Sequence, residues 1–261
     1  MTHTFLARLH YVGTGFLGWQ RQAKGRTVQA EVERVLERLC GRRIVAHGAG
    51  RTDAGVHAMG MGVSFSAPAK WTPATLRKAM NALLAKDCWI ESVQAMAPGF
   101  HARKSATGRQ YRYLIGTDDA AQSPFRRATE WALGRPLELT RLDAAAATIR
   151  GRHDFRAFAI KGEPKPHWEC DIRRAEWGAR EGGTGVVLHI AADRFLHHMV
   201  RMLVGTMVDI ALERRPASDM ARLLAARENS DTSPPAPAQG LYFMAADYPA
   251  ESFADLDLPT S

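Results

Sequence analysis

The chain has 261 residues, 46% of them hydrophobic, with 35 lysines and arginines against 27 aspartates and glutamates and a net charge of +8. That content rules out a disordered polypeptide and suffices for one large domain or two intimately joined halves. The basic residues form separate clusters at Arg42 and Arg43, Arg103 to Arg112, Arg126 and Arg127, Arg150 and Arg152, and Arg173 and Arg174. This pattern suits a broad docking face for a phosphate-bearing partner.

Cys40, Cys88 and Cys170 are odd in number and far apart, so neither a disulfide framework nor a zinc knuckle is expected, and a reducing compartment is. Met1-Thr2-His3-Thr4-Phe5 has no basic n-region or apolar h-region, and the longest apolar stretch, Met199 to Leu212, is too short to span a bilayer and is broken by Arg201 and Asp209. A cytoplasmic protein without a membrane segment is expected.

In chain order, Phe5, Ala7, Leu9 and Tyr11 alternate with Leu6, Arg8 and His10, which predicts a half-buried strand. Thr27 then caps a helix whose Val28, Val32, Val35, Leu36 and Leu39 share a face, with Gly41 as its stop. Strands are predicted at Arg43 to His47 and Met59 to Ser66, a second helix behind Thr72 with Pro73 in its first turn, and a strand at Cys88 to Met96. The order β-α-β-β-α-β is that of a ferredoxin-like unit. After Pro98 it recurs: strand Arg109 to Gly116, helix Leu142 to Arg150 behind a capping box Thr140-x-x-Asp143, then strands Cys170 to Trp177 and Gly185 to Ala191. An apolar helix from Leu196 to Leu212, a shorter one from Asp219 to Ala226 and a strand from Leu241 to Ala246 complete it. Segments Lys161 to His167 and Asn229 to Gln239 read as loops. The expected fold is α+β: two ferredoxin-like halves, residues 1–104 and 105–250, joined in a continuous antiparallel sheet with a central cleft, and a tail at 251–261.

Gly13-Thr14-Gly15-Phe16-Leu17-Gly18 matches the G-x-G-x-x-G dinucleotide pattern, but no helix opens directly after it, and the acid expected about 20 residues on falls inside the first helix at Glu33 or Glu37. A glycine-rich hairpin turn is predicted instead, whose exposed Trp19-Gln20-Arg21 either touches RNA or packs locally, the latter favoured for Trp19. In Gly50-Arg51-Thr52-Asp53-Ala54-Gly55-Val56-His57-Ala58, one carboxylate sits beside a guanidinium between glycines. A carboxylate in a loop is already the anion that a nucleophile or base must be at pH 7; the alternative is an Asp that closes a turn and pairs with Arg51. Tyr111 and Tyr113 alternate with Gln110 and Arg112, so both rings share one face of a strand, as stacking platforms for bases or as core. His197 and His198 are expected in the first turn of the apolar helix, where neighbours diverge by about 100 degrees and share a metal poorly. Arg201 within that helix needs an anion; Asp209 lies two turns on, and Asp53 is the better candidate. Walker loops, G-x-S-x-G elbows and His-Glu-x-x-His patterns are absent.

Five blocks in order, residues 11–20, 50–58, 109–113, 195–201 and 240–242, resemble the tRNA pseudouridine synthase A family. The resemblance implies isomerisation of uridine to pseudouridine at positions 38, 39 and 40 of the tRNA anticodon stem-loop, by a homodimer without metal or organic cofactor. It gives Asp53 the catalytic role, with Arg201 paired to it. Tyr111 stacks on the target base, Arg51 helps displace the nucleotide and Leu241 packs near the base. The chain departs from the family pattern around residues 161–171, where it reads Lys165-Pro166-His167-Trp168-Glu169. A non-catalytic RNA-binding module is the first rival reading, though no RNP1 pattern is present. A nicotinamide oxidoreductase built on Gly13 to Gly18 is the second.

Overall fold

The computed structural model describes residues 1–159, 167–226 and 231–254. The expected loop at 161–167 therefore lies outside the described residues save for His167, as do positions 229 and 230 of the second loop and residues 255–261 of the tail. The chain divides into two compact units, Met1–Thr107 with Phe243–Ser261, and Gly108–Tyr242.

The first unit runs β1 (Thr2–Tyr11), α1 (Val28–Cys40), β2 (His47–Gly48), β3 (His57–Pro68), α2 (Pro73–Leu83) and β4 (Cys88–Met96). Strand β1 lies between β3 and β4, antiparallel to both, and β2 pairs antiparallel with β3. Alternation along β1 buries Phe5, Ala7, Leu9 and Tyr11, with Phe5 opposite Phe65. Both helix starts follow from local chemistry. The Thr27 hydroxyl accepts from Ala30 N at 3.4 Å, while Thr72 and Thr75 form a reciprocal capping box ahead of α2, with Pro73 in its first turn. Gly41 ends α1 in the left-handed region at φ 68°.

The expected strand at Arg43 to His47 shrinks to His47–Gly48. The cause lies on α1: buried Glu33 accepts from Ala46 N at 3.1 Å and buried Gln29 donates to Ala46 O at 3.1 Å. With its amide and carbonyl taken by side chains, Ala46 has nothing left to offer a ladder.

The second unit runs β5 (Gly108–Gly116), α3 (Pro124–Arg127), β6 (Trp131–Ala132), α4 (Leu139–Thr148), β7 (Gly151–Asp154), β8 (Glu169–Ala179), β9 (Gly185–Ala192), α5 (Met199–Ala211) and α6 (Asp219–Ala225). Strand β9 lies between β5 and β8, and β7 pairs with β8, all antiparallel; β6 runs parallel to β5. A last strand, β10 (Leu241–Asp247), has its first two residues in the second unit and the rest in the first. The protein is thus mixed α/β with mostly antiparallel strands. Among the described residues no helix is long and apolar enough to cross a membrane.

Two expected helix starts move. The capping box at Thr140 does not form: α4 begins at Leu139, the Thr140 hydroxyl donates to Glu138 at 2.7 Å, and Asp143 accepts from Trp177 N at 3.1 Å. The apolar helix begins at Met199 rather than Leu196, because His198 takes a left-handed φ of 62°. His197 and His198 therefore precede the helix, their ring centroids 4.3 Å apart, and the helical divergence expected of them does not apply.

All three cysteines are free. Burial, with the Asp87 and Glu31 carboxylates nearby, pushes the Cys88 thiol up to about 12. At pH 8 iodoacetamide is therefore expected to leave Cys88 unmodified in the folded protein and to label it in denaturant, as read by mass spectrometry. Labelling of native Cys88 at the rate of a free thiol would contradict its burial. A folded thiol that holds its proton more tightly than the unfolded one contributes stability below about pH 8.5, and that contribution is lost as pH rises towards 12.

Candidate functional site

In the first unit the loop bearing Asp53 is a tight turn, closed by Val56 N donating to Asp53 O at 3.2 Å, with Gly55 at φ 81° in its third position. Asp53 is half-buried and Arg51 exposed. Arg51 makes no hydrogen bond or ion pair among the described residues, so the alternative in which Asp53 merely pairs with it does not hold. The turn is closed through the main chain.

The glycine-rich segment after β1 serves this turn. It is not the expected hairpin: Gly13–Gly15 is a short 3-10 turn, and the chain then runs on to α1, with Leu17 N bonded to Arg26 O at 2.8 Å. Its two outer glycines lie against the Asp53 loop. A Cβ on Gly13 would collide with the Val56 carbonyl, and one on Gly18, which sits at φ 91°, would lie 2.5 Å from Thr52 O. Across the contact, Trp19 N donates to Thr52 O at 3.0 Å and Gly13 N donates to His57 Nδ1 at 3.0 Å. The hydroxyls of Tyr11 and Thr52 share a hydrogen bond of 2.8 Å. Of the two readings of Trp19, local packing is the one found: the side chain is buried, its indole against Gly48. Sequence reasoning missed Tyr11, Thr52 and His57; the surviving signal was a glycine pattern that no cofactor explained.

In the second unit, Tyr111 and Tyr113 project from one face of β5, opposite Ile190 and Leu188 of β9, and both are buried. Tyr113 is core: its hydroxyl donates to Pro237 O at 2.7 Å, and burial raises its phenol well above the ordinary range. Tyr111 is 8% exposed and meets Phe195 edge to face, ring centroids 5.2 Å apart. Arg201, half-buried in the first turn of α5, donates from Nε to Ala236 O at 2.7 Å. Asp209 pairs instead with Arg214 at 3.2 Å. Leu241 is buried at the start of β10, just after Gly240, which packs on the Tyr113 ring.

On the other face of β5, a shallow open recess of about 440 Å³ is lined by residues that include Arg112, Leu114, Arg180, Glu181, Val187 and His189. Burial first, then the Arg174 and Arg112 cations, lower the pKa of His189. None of Arg51, Asp53, Tyr111, Arg201 and Leu241 lines this recess.

A family model described as tRNA pseudouridine synthase matches residues 7–103 and 145–249. Proteins named tRNA pseudouridine synthase A from Moorella thermoacetica and Solidesulfovibrio magneticus are each 39% identical to the chain. The first match covers 92% of this chain and 97% of its relative, the second 95% and 92%. A protein of the same name from Escherichia coli O1:K1 / APEC is 35% identical over 92% of this chain and 88% of its own.

Proposed function

This chain belongs to the tRNA pseudouridine synthase family, an isomerase family, and from that premise we propose that it converts uridine to pseudouridine at positions 38, 39 and 40 of the tRNA anticodon stem-loop, with Asp53 as nucleophile or base. The observation that carries the role of Asp53 is the docked turn: a half-buried carboxylate on a loop whose backbone is fixed from both sides by the residue 13–19 segment. A preorganised anion is what the chemistry asks of the protein.

The reaction breaks the C1′–N1 bond, turns the uracil and forms C1′–C5; the proton leaving C5 is balanced by one gained at N1. The base returns to its own sugar, so neither a redox equivalent nor an activated donor is consumed. Asp53 either adds covalently to the sugar or base, or removes a sugar proton to give a glycal. Before either, the nucleotide leaves its stack at a cost of a few kcal/mol. Phosphate contacts along the basic clusters and stacking on Tyr111 offset that cost. Arg51 helps displace the nucleotide, Arg201 supplies a cation, and Leu241 packs near the base. The reading requires one nucleotide to be served by all of them. The family also suggests a homodimer working in the cytoplasm. The β-α-β-β-α-β order in residues 1–104, echoed with additions in 105–250, supports two ferredoxin-like halves.

The test incubates the purified protein with unmodified tRNA and maps pseudouridine by reverse-transcription stops after carbodiimide treatment. New stops at positions 38 to 40 are expected. Stops elsewhere would reassign the target, and tRNA bound without any new stop would favour a non-catalytic RNA-binding protein.

A further inference from the structure

The residues that hold the Asp53 turn include one buried side chain to which the reading above gives no part. His57 opens β3 four positions after Asp53 and is 2% exposed. Its Nδ1 accepts the hydrogen bond from Gly13 N at 3.0 Å, so in the neutral ring the proton resides on Nε2. Gly13 N is a buried backbone donor, and such a donor is costly to leave unsatisfied. The bond crosses the contact at its tightest point, where the Val56 carbonyl leaves no space for a Cβ on Gly13. Val56 in turn closes the turn by its own N–H on Asp53 O. Gly13, His57, Val56 and Asp53 are thus linked in series, through two hydrogen bonds and one peptide.

We infer that His57 is a positioning residue for the isomerisation: by accepting Gly13 N–H at Nδ1 it latches the glycine segment onto the 53–56 turn and fixes where the Asp53 carboxylate stands. The inference rests on Asp53 being the reacting carboxylate. A side-chain acceptor suits this place because the two backbones already touch there, and an acceptor at the level of Nδ1 meets the Gly13 amide.

The latch is tested with His57→Asn, which keeps an acceptor at the level of Nδ1, and His57→Gln, which carries its amide out to the level of Nε2. With unmodified tRNA as substrate, His57→Gln is expected to lower kcat by about 100-fold, the scale of an ångström-sized misplacement of a catalytic group. Its tRNA affinity in filter binding should stay within about twofold of wild type, because phosphate contacts carry binding. His57→Asn should restore most of kcat. Wild-type kcat in His57→Gln overturns the latch, as does equal loss in both variants while both melt at the wild-type temperature.

Where both variants melt early, Gly13→Ala decides, since it leaves the imidazole in place and drives the loops apart. Its kcat should fall, and the double variant Gly13→Ala with His57→Gln should be no worse than Gly13→Ala alone, whereas losses that multiply overturn the latch. Asp53→Asn run in parallel separates the two ideas. An active Asp53→Asn protein removes the catalytic reading and the latch with it. An inactive one beside a fully active His57→Gln removes the latch only.

Discussion

Asp53→Asn is expected to bind tRNA as wild type does and to lose pseudouridine formation by about 10³-fold or more. The change is nearly isosteric, and the turn it sits in is closed through the Asp53 main-chain oxygen. The contacts that dock the loop involve Gly13, Trp19, Tyr11, Thr52 and His57, none of which the substitution alters. The backbone of the docked turn should therefore be kept. What disappears is the negative charge, and with it any capacity to attack carbon or take a sugar proton. Binding rests on phosphates and cations, so loss of one negative charge cannot weaken it through repulsion. A gel-shift titration and carbodiimide mapping on the same preparation check both halves. Equal activity in variant and wild type would remove Asp53 from the mechanism.

What was legible in the sequence is what short-range chemistry decides. Thr27 and Thr72 announce their helices because a hydroxyl three residues ahead of an amide satisfies it within one turn, and Gly41 ends α1 because only glycine takes a left-handed angle freely. Strand β4 begins and ends where alternation places it, at Cys88 and Met96. The failures share a cause: a side chain read as local was recruited by something distant. Asp143 serves Trp177, 34 positions away, so the capping box at Thr140 is empty of its partner. Gln29 and Glu33 reach Ala46 and remove a strand. At His198 one left-handed backbone angle shortens the predicted helix, because periodicity records which face is buried and not where the hydrogen bonding starts.

The site divides along the same line. Asp53 and its flanking glycines are conspicuous in the sequence, and the turn they form is local. The second half of the story, that Gly13 and Gly18 are small so that the 50–58 loop can rest on them, requires two segments about 40 residues apart to touch. No spacing rule contains that contact. The G-x-G-x-x-G pattern was therefore mistaken for a hairpin.

Tyr111→Ala is expected to be severe and Tyr111→Phe mild, and the contrast locates the role in the ring. Removal of an aromatic platform costs about 1 to 3 kcal/mol per stacked base, which is roughly 5- to 150-fold in the productive complex. The phenylalanine variant keeps the ring and its edge-to-face contact with Phe195, so activity should stay within several-fold of wild type. The alanine variant also empties a site that is 8% exposed, a truncation that costs about 3 to 5 kcal/mol of stability in a packed core. Rates must accordingly be compared below the melting temperature of both proteins. Single-turnover kinetics with excess enzyme then isolate the step at which the base is held, free of product release. A hydroxyl role would give the opposite pattern, with Tyr111→Phe falling as far as Tyr111→Ala at equal folded fraction.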